Sequence, residues 1–241
     1  MSHISALNHV PVITLDGPSG TGKGTLCHRL ASILGWHVLD SGAIYRALAL
    51  SVLQDAVYSH DIEHLVALAR TLPLRFFSDE RHYQHVYLGE QDVSEFIRSE
   101  QIGQEASKLA AIPEVRAALL MRQREYAQAP GLVTDGRDMG TVVFPEADLK
   151  IYLDASEKER ASRRYLQLQQ KGEEVRLEDI MTQLLIRDAR DKDRRHAPLT
   201  AAADAVHIDT TGLGVVQVLE SILQLAAARG LYNAQHQGKS S

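Results

Sequence analysis

The stretch VPVITLDGPSGTGKGTLCHRLASIL, Val10 to Leu34, runs three kinds of sequence together. An apolar segment ending at Asp16 predicts a buried strand, and KGTLCHRLASIL predicts a helix. Between them, the ten residues Asp16 to Thr25 hold four glycines and one lysine. From Gly17 the spacing is G-x-x-x-x-G-K. Glycines let successive backbone N–H groups turn inward around an anion, where a Cβ would obstruct the turn. The helix that follows adds its positive N-terminal end. Lys23, at that spacing, reaches the outer phosphates of a nucleoside triphosphate. The expected triphosphate cradle is therefore Gly17, Pro18, Ser19, Gly20, Thr21, Gly22, Lys23, Gly24 and Thr25. One position departs from the general pattern. Gly24 stands where a Mg²⁺-ligating Ser or Thr usually follows the lysine. The expectation is that Mg²⁺ is held mostly by phosphates and water, and no residue is assigned as a metal ligand.

Working outward, short apolar segments alternate with helical ones. Val10 to Asp16, Trp36 to Asp40, Leu132 to Gly136, Leu149 to Asp154 and Ala205 to Asp209 are strand candidates. Their near-continuous hydrophobicity predicts strands buried on both faces, in an α/β fold with a five-stranded parallel sheet flanked by helices. Ligands collect at the carboxyl ends of such strands, where Asp16, Asp40, Asp135 and Asp154 fall; each could equally cap a helix. Two regions break the rhythm. Leu74 to Ser94 alternates, with Val86 and Leu88 on one face and Tyr83, His85 and Tyr87 on the other, as a small antiparallel insertion would. Ser156 with Glu159 forms a capping-box pattern opening a helix that stops near Gly172, and a second helix follows. The expected organisation is one domain over 10–229. Its core is 10–54, 107–155 and 203–229, with an insertion at about 60–106, a helical lid at about 156–195, and disordered tails at 1–9 and 230–241.

Composition narrows the partners. The 241 residues carry a net charge of −5, whereas affinity dominated by a nucleic-acid backbone calls for a basic surface. Cys27 is the one cysteine, so no internal disulfide forms, which suits a reducing compartment. No run approaches the ~18 apolar residues that suggest a membrane span, and the first residues lack a signal-peptide pattern. A cytoplasmic protein is expected, and the absence of a heptad or a long apolar surface stretch leans towards a monomer.

The arginines suggest a reaction. On a helix, Arg187, Arg190, Asp191 and Arg194 share one face, as do Arg160, Arg163 and Arg164 on the preceding helix. Arg160 and Arg164 read equally well as a solvated salt-bridge face. The cluster at Arg187, Arg190 and Arg194 would repel itself without an anion between its members. Two unit charges ~4 Å apart repel by ~1 kcal/mol in water and ~4 kcal/mol at an effective dielectric near 20. A triphosphate facing a monophosphate contains several such pairs, so lysine, Mg²⁺ and arginines must supply the opposing field. A monophosphate acceptor is largely dianionic near neutral pH and needs no general base. The eleven histidines form no HExxH motif or tight cluster; His28 and His37 read as packing or surface residues, and Tyr45, Tyr126 and Tyr165 as packing residues.

The GxGKGT loop resembles that of the nucleoside monophosphate kinases, where it binds ATP. LDSGAIYRALAL (39–50), SKLAAIPEVRAALL (107–120), DGRDMGTVVFP (135–145) and RDARDKDR (187–194) together resemble the bacterial cytidylate kinases. The similarity covers nearly the whole chain. It implies transfer of the γ-phosphate of ATP to CMP or dCMP, on a P-loop kinase core with a monophosphate-binding insertion and a mobile lid. By motif, Ser41, Arg46 and Arg137 fall where the family contacts the monophosphate, and Ser107, Arg116, Asp138 and Arg194 where it reads cytosine. Arg187 and Asp191 match positions near the phosphate and the sugar hydroxyls, Asp135 belongs with this set, and Arg163 matches a lid arginine that closes on ATP. Lys23, Arg137, Arg187 and Arg163 are the expected catalytic residues. The segment KDRRHAPL departs from the family pattern beside Arg194.

Chemistry supports the cytosine assignments independently of the resemblance. Cytosine offers an N4 donor with N3 and O2 acceptors, so a carboxylate with guanidinium donors is complementary. Three alternatives stay open on sequence alone: another monophosphate such as UMP or AMP, a hydroxyl acceptor with Asp40 or Asp135 as base, and a nucleotide-hydrolysing switch.

Overall fold

A computed structural model describes residues 9–54, 61–79 and 84–233. Its main sheet is built from β1 (Val12–Asp16), β2 (His37–Asp40), β6 (Leu132–Gly136), β7 (Leu149–Asp154) and β8 (Val206–Asp209), in the order β2-β6-β1-β7-β8. All four pairings are parallel. β1 and β6 are buried at every residue. β2 and β8 are not, contrary to the expectation of burial on both faces. They are the two edges of the sheet, where a neighbour covers one side only.

Helices cover both faces. α1 (Lys23–Leu34) and α8 (Val215–Ala228) pack with Ile13, Leu15, Val133 and Ile151 on one face. On the other, α2 (Ser41–Gln54), α4 (Glu100–Leu109) and α5 (Pro113–Arg124) enclose a core with Val12, Leu39 and Leu132. α3 (Ile62–Thr71) and an antiparallel sheet of β3 (Leu74–Ser78), β4 (Gln84–Leu88) and β5 (Gln91–Asp92) extend that core. Val86 faces inward there, while His85 and Tyr87 sit on the partly exposed side. Tyr83 lies outside the described residues. α4 runs unbroken across the expected boundary at 106/107, so insertion and core share a helix.

α6 (Glu157–Gln170) and α7 (Leu177–Lys192) carry a separate small core of Ala161, Leu168, Ile180 and Leu184. Tyr165 packs against it, and Tyr126 packs edge-on to Phe76. The Ser156 hydroxyl accepts the Glu159 amide, as a cap should. The reciprocal capping-box bond is replaced, because the Glu159 carboxylate takes Arg163 Nε at 2.9 Å. Leu231 and Tyr232, which fall in the tail expected from 230, pack on the α1/α8 core. Residues 1–8 and 234–241 lie outside the described residues. Among the described residues no helix is long and apolar enough to cross a membrane.

Leu15, at the centre of the sheet, is fully buried. Leu15→Ala is expected to cost about 2–5 kcal/mol, read as a lower urea midpoint at unchanged m-value.

Candidate active site

The loop after β1 is shaped by its glycines. Gly17, Gly20 and Gly22 take φ of +143°, +84° and +93°, and a Cβ on Gly17 would lie 2.0 Å from the Leu153 carbonyl oxygen. Any side chain at Gly17 would push β7 away from the loop. The amides of Ser19 to Gly22 bond to nothing else among the described residues. They surround the N-terminus of α1 as an anion cradle. Lys23 is buried and donates to the Pro18 carbonyl at 2.6 Å and the Thr21 hydroxyl at 3.2 Å. Burial, then Arg137, hold its ammonium well below the ordinary lysine range, against the pull of Asp135 and Asp16.

The strand-end carboxylates do different things. Asp16 accepts the amides of Met139 and Gly140 at 2.8 and 2.7 Å, tying β1 to the turn after β6. Burial outweighs those bonds and raises its carboxyl to about 6. Asp40 accepts the Ala43 amide at 2.9 Å at the start of α2, and Asp154 accepts the Ala155 amide. Asp135 is different: its Oδ1 is buried without a hydrogen-bond partner. Burial, with Asp40 adding to it, pushes that carboxyl well above the ordinary range.

These groups face a cleft of about 580 Å³ between the loop, α2, α4 and α7. Its far wall is basic. Arg46, on α2, donates Nη1 to the Ile97 carbonyl at 2.7 Å. Arg137, just after β6, donates Nε to Asp191 at 2.8 Å. Arg187, on α7, has no hydrogen bond or ion pair among the described residues, and its Nε is buried. Burial first, then Arg137 and Arg46, depress its affinity for a proton.

Farther along the cleft the charges are matched. Asp191 is 1% exposed. It accepts from Ser107 Oγ at 3.0 Å, from Arg137, and from Arg194 at very short range. Three arginines overcome its burial and hold the carboxyl at about 2. Asp138 pairs closely with Arg116, which lies over the Tyr45 ring. Burial pushes the Asp138 carboxyl up against the pull of Arg116 and Arg194. Ser41, at the start of α2, sits so near Gly136 that a Cβ there would meet its Oγ at 2.5 Å.

The cleft thus gathers Ser41, Arg46, Ser107, Arg116, Asp135, Arg137, Asp138, Arg187, Asp191 and Arg194 opposite Lys23. Arg163 lies outside the cleft lining; its guanidinium donates to Thr210 Oγ1, to the Thr210 and Leu213 carbonyls, and to Thr21 O of the glycine loop at 3.4 Å. Three other arginine expectations change. Arg190 turns to Gln104 at 3.3 Å. Arg160 is neither solvated nor in the cleft: at 4% exposed it joins Asp188, Ala155 O and Ser19 O, pinning α6 to the loop. α7 ends at Lys192, so Arg194 lies past the helix rather than on its face.

His28, Tyr45 and Gln84 line the cleft without having been assigned to it. His28 follows Thr25 by three positions, so the loop-to-helix register placed it within reach. Tyr45 precedes Arg46 in the same motif and is at once core and cleft wall. Gln84 bonds Val38 O across the insertion, a tertiary contact with no local signal.

A phosphate loop at one end of a parallel sheet, facing a three-arginine seat and a buried polar pocket, defines a P-loop nucleoside monophosphate kinase. Comparison sharpens the class. The model of the cytidylate kinase family matches residues 13–228. A cytidylate kinase of Aeromonas hydrophila subsp. hydrophila is 55% identical over 221 residues, covering 90% of this chain and 94% of its own. One from Marinomonas sp. is 53% identical over 225 residues, covering 93% and 99%. The crystal structure of an uncharacterized protein from Eubacterium ventriosum covers 91% of this chain and 99% of its own at TM-score 0.50. At 12% identity it shares the fold alone. The chain belongs to the cytidylate kinase family.

Asp191 yields a pH prediction. Its folded-state value, about 2 against an ordinary 3.8, lies below that of the unfolded chain. Between the two values only the unfolded chain binds the proton, so stability falls as pH drops through that window, by a few kcal/mol in all. Asp191→Asn should cost roughly 3 kcal/mol at pH 7, because Arg137 and Arg194 are left buried and unpaired. The gap between the two proteins should close as pH falls from about 4 to about 2, measured by urea unfolding.

Proposed function

We propose that this chain transfers the γ-phosphate of ATP to CMP or dCMP, with the loop as donor seat and the arginine cleft as acceptor seat. The observation that carries the assignment of seats is Arg187. Arg187 is half-buried with its Nε fully so, and it makes no hydrogen bond or ion pair among the described residues. Burial, Arg137 and Arg46 oppose its charge more than Asp191 and Glu100 support it, which is costly. A phosphate dianion bound among these three arginines turns that cost into binding energy.

The loop amides and Lys23 hold the β- and γ-phosphates of ATP. Lys23 gives up its bond to Pro18 for them. Ser41, Arg46, Arg137 and Arg187 hold the acceptor phosphate in line. One acceptor oxygen forms the new bond to the γ-phosphorus as the bond to the β,γ-bridging oxygen breaks, giving CDP or dCDP and ADP. The acceptor is already ionised, so no proton has to be removed, and positioning with charge neutralisation supplies the catalysis. Gly24 offers no hydroxyl for Mg²⁺, but the unpartnered Asp135 Oδ1 and the neighbouring Asp40 form a hard-oxygen pair suited to it. When bound, Mg²⁺ supplies charge neutralisation to the donor phosphates.

Asp138 accepts from cytosine N4, and Arg116 or Arg194 donates to the ring. Asp191 serves the sugar hydroxyls. Residues about 156–195 act as a lid that keeps water from the γ-phosphate, and the machinery is complete within one chain, consistent with a monomer. Arg163, held between the glycine loop at Thr21 and the turn at Thr210, acts on ATP from the lid side.

Transfer from ATP with Mg²⁺ to CMP, dCMP, UMP, AMP, GMP and water tests the assignment. Turnover of CMP and dCMP is expected; turnover of UMP or AMP alone would discard the cytosine pocket, and acceptor-independent hydrolysis would discard the kinase reading. Asp138→Ala is expected to narrow the CMP-to-UMP ratio of kcat/KM, and an unchanged ratio removes that residue from base reading. Arg187→Ala should lower kcat/KM for CMP by about 10²–10³-fold with little loss of Tm, since no hydrogen bond or ion pair among the described residues is broken and the repulsion from Arg137 and Arg46 is relieved.

A further inference from the structure

α4 carries a glycine where a helix does not call for one. Gly103 is the fourth residue of Glu100–Leu109, its φ is not positive, and its amide bonds Ser99 O at 3.1 Å as in any first turn. Backbone geometry therefore gives no reason for glycine, which is a poor helix former. Its surroundings do. A Cβ at this position would lie 3.2 Å from Arg46 Nη2, 3.5 Å from Arg46 Cζ and 3.5 Å from Arg187 Nη1. Those are the three nearest atoms, and all belong to the two guanidiniums assigned above to the acceptor phosphate.

Arg46 is the one that would have to give: at 3.2 Å its Nη2 is closer than a methyl group normally comes. It is tethered through Nη1 to Ile97 O at 2.7 Å, so a methyl group pressing on Nη2 would rotate it about that bond. Arg187 Nη1, at 3.5 Å, would meet the methyl group at ordinary van der Waals contact. One turn farther on, the same face of α4 presents Ala106, Ser107 and Ala110 to the cleft. The face is thus small along its length, and at Gly103 it lies against the Arg46 guanidinium.

We infer that Gly103 is a positioning residue for the acceptor phosphate: its missing side chain leaves the Arg46 guanidinium the place it takes beside Arg187. The inference rests on the reading of these arginines as the phosphate seat. It makes the wall of α4 part of the acceptor site without giving it any direct contact to the reacting atoms.

Gly103→Ala tests it. Alanine is the better helix former, so Tm should stay level or rise, while CMP binding weakens about tenfold, equivalent to about 1.4 kcal/mol. Cytidine, which lacks the phosphate, should bind the variant as it binds the wild type, and KM for ATP should not change. In an Arg46→Ala background the same methyl group should produce no further loss of CMP affinity. The inference is overturned if Gly103→Ala leaves CMP affinity within twofold, if cytidine loses as much as CMP, or if the losses in the double variant simply add. Arg187→Lys separates the two levels. Should it weaken CMP but not cytidine while Gly103→Ala does neither, the phosphate seat stands and only the role of Gly103 falls. If Arg187→Lys also leaves CMP unaffected, the seat itself is wrong.

Discussion

Positive charge held in the interior with less opposing charge than it needs is the constraint on which this molecule turns. Arg187 makes no hydrogen bond or ion pair among the described residues, with Asp191 and Glu100 only partly offsetting burial, Arg137 and Arg46, and Lys23 is turned onto its own loop's carbonyl and hydroxyl. Both arrangements cost folding free energy, because burial opposes charge. A parallel sheet covered by helices on both faces, with β1 and β6 buried throughout, provides a frame stiff enough to hold them. The loop needs β7 close behind Gly17, and the arginine seat needs α2, α4 and α7 to meet over the same strand ends. Sheet, loop and seat therefore depend on one another.

The two halves of the acceptor pocket differ in how they stand before a ligand arrives. Asp138 is paired with Arg116, and Asp191 with Arg137, Arg194 and Ser107. On the proposed reading, a base and a sugar must replace or share those bonds, so they gain little net energy from each. A phosphate at Arg187 displaces nothing. Affinity then comes chiefly from the phosphate end and discrimination from the base end, where an ill-matched ring breaks an ion pair and leaves its members buried.

Much of the fold was legible because its determinants are local. All five strands of the main sheet lie within the segments that apolar runs marked, and the G-x-x-x-x-G-K spacing located the loop. Burial at the edges was not legible, since β2 and β8 have compositions like β6 and differ only in having one neighbour. Among the site residues, those at strand ends and in the α2 motif could be named from position. Arginines could not be sorted the same way: one face of α6 supplies Arg160 to the loop, Arg163 to the β8 turn and Arg164 to Glu100. Helical periodicity gives the face of a residue, not the partner that a long side chain finds.

That same helix decides how the parts communicate. Arg160 reaches Ser19 O in the phosphate loop, while Arg164 and Lys171 reach Glu100 and Glu95 at the edge of the insertion. α6 thus touches both sides of the cleft, and it shares with α7 a core that includes no residue of the main sheet. Arg187 and Asp191 ride on α7. Displacing the α6/α7 pair as a unit would break the Arg160 contact with the loop and withdraw Arg187 and Asp191 from the acceptor side together. The exposed Lys171–Glu95 pair is worth little; the resistance to such a displacement lies in the buried Asp191 contacts with Arg137 and Ser107, as the buried Arg160–Asp188 pair resists separation of α6 from α7.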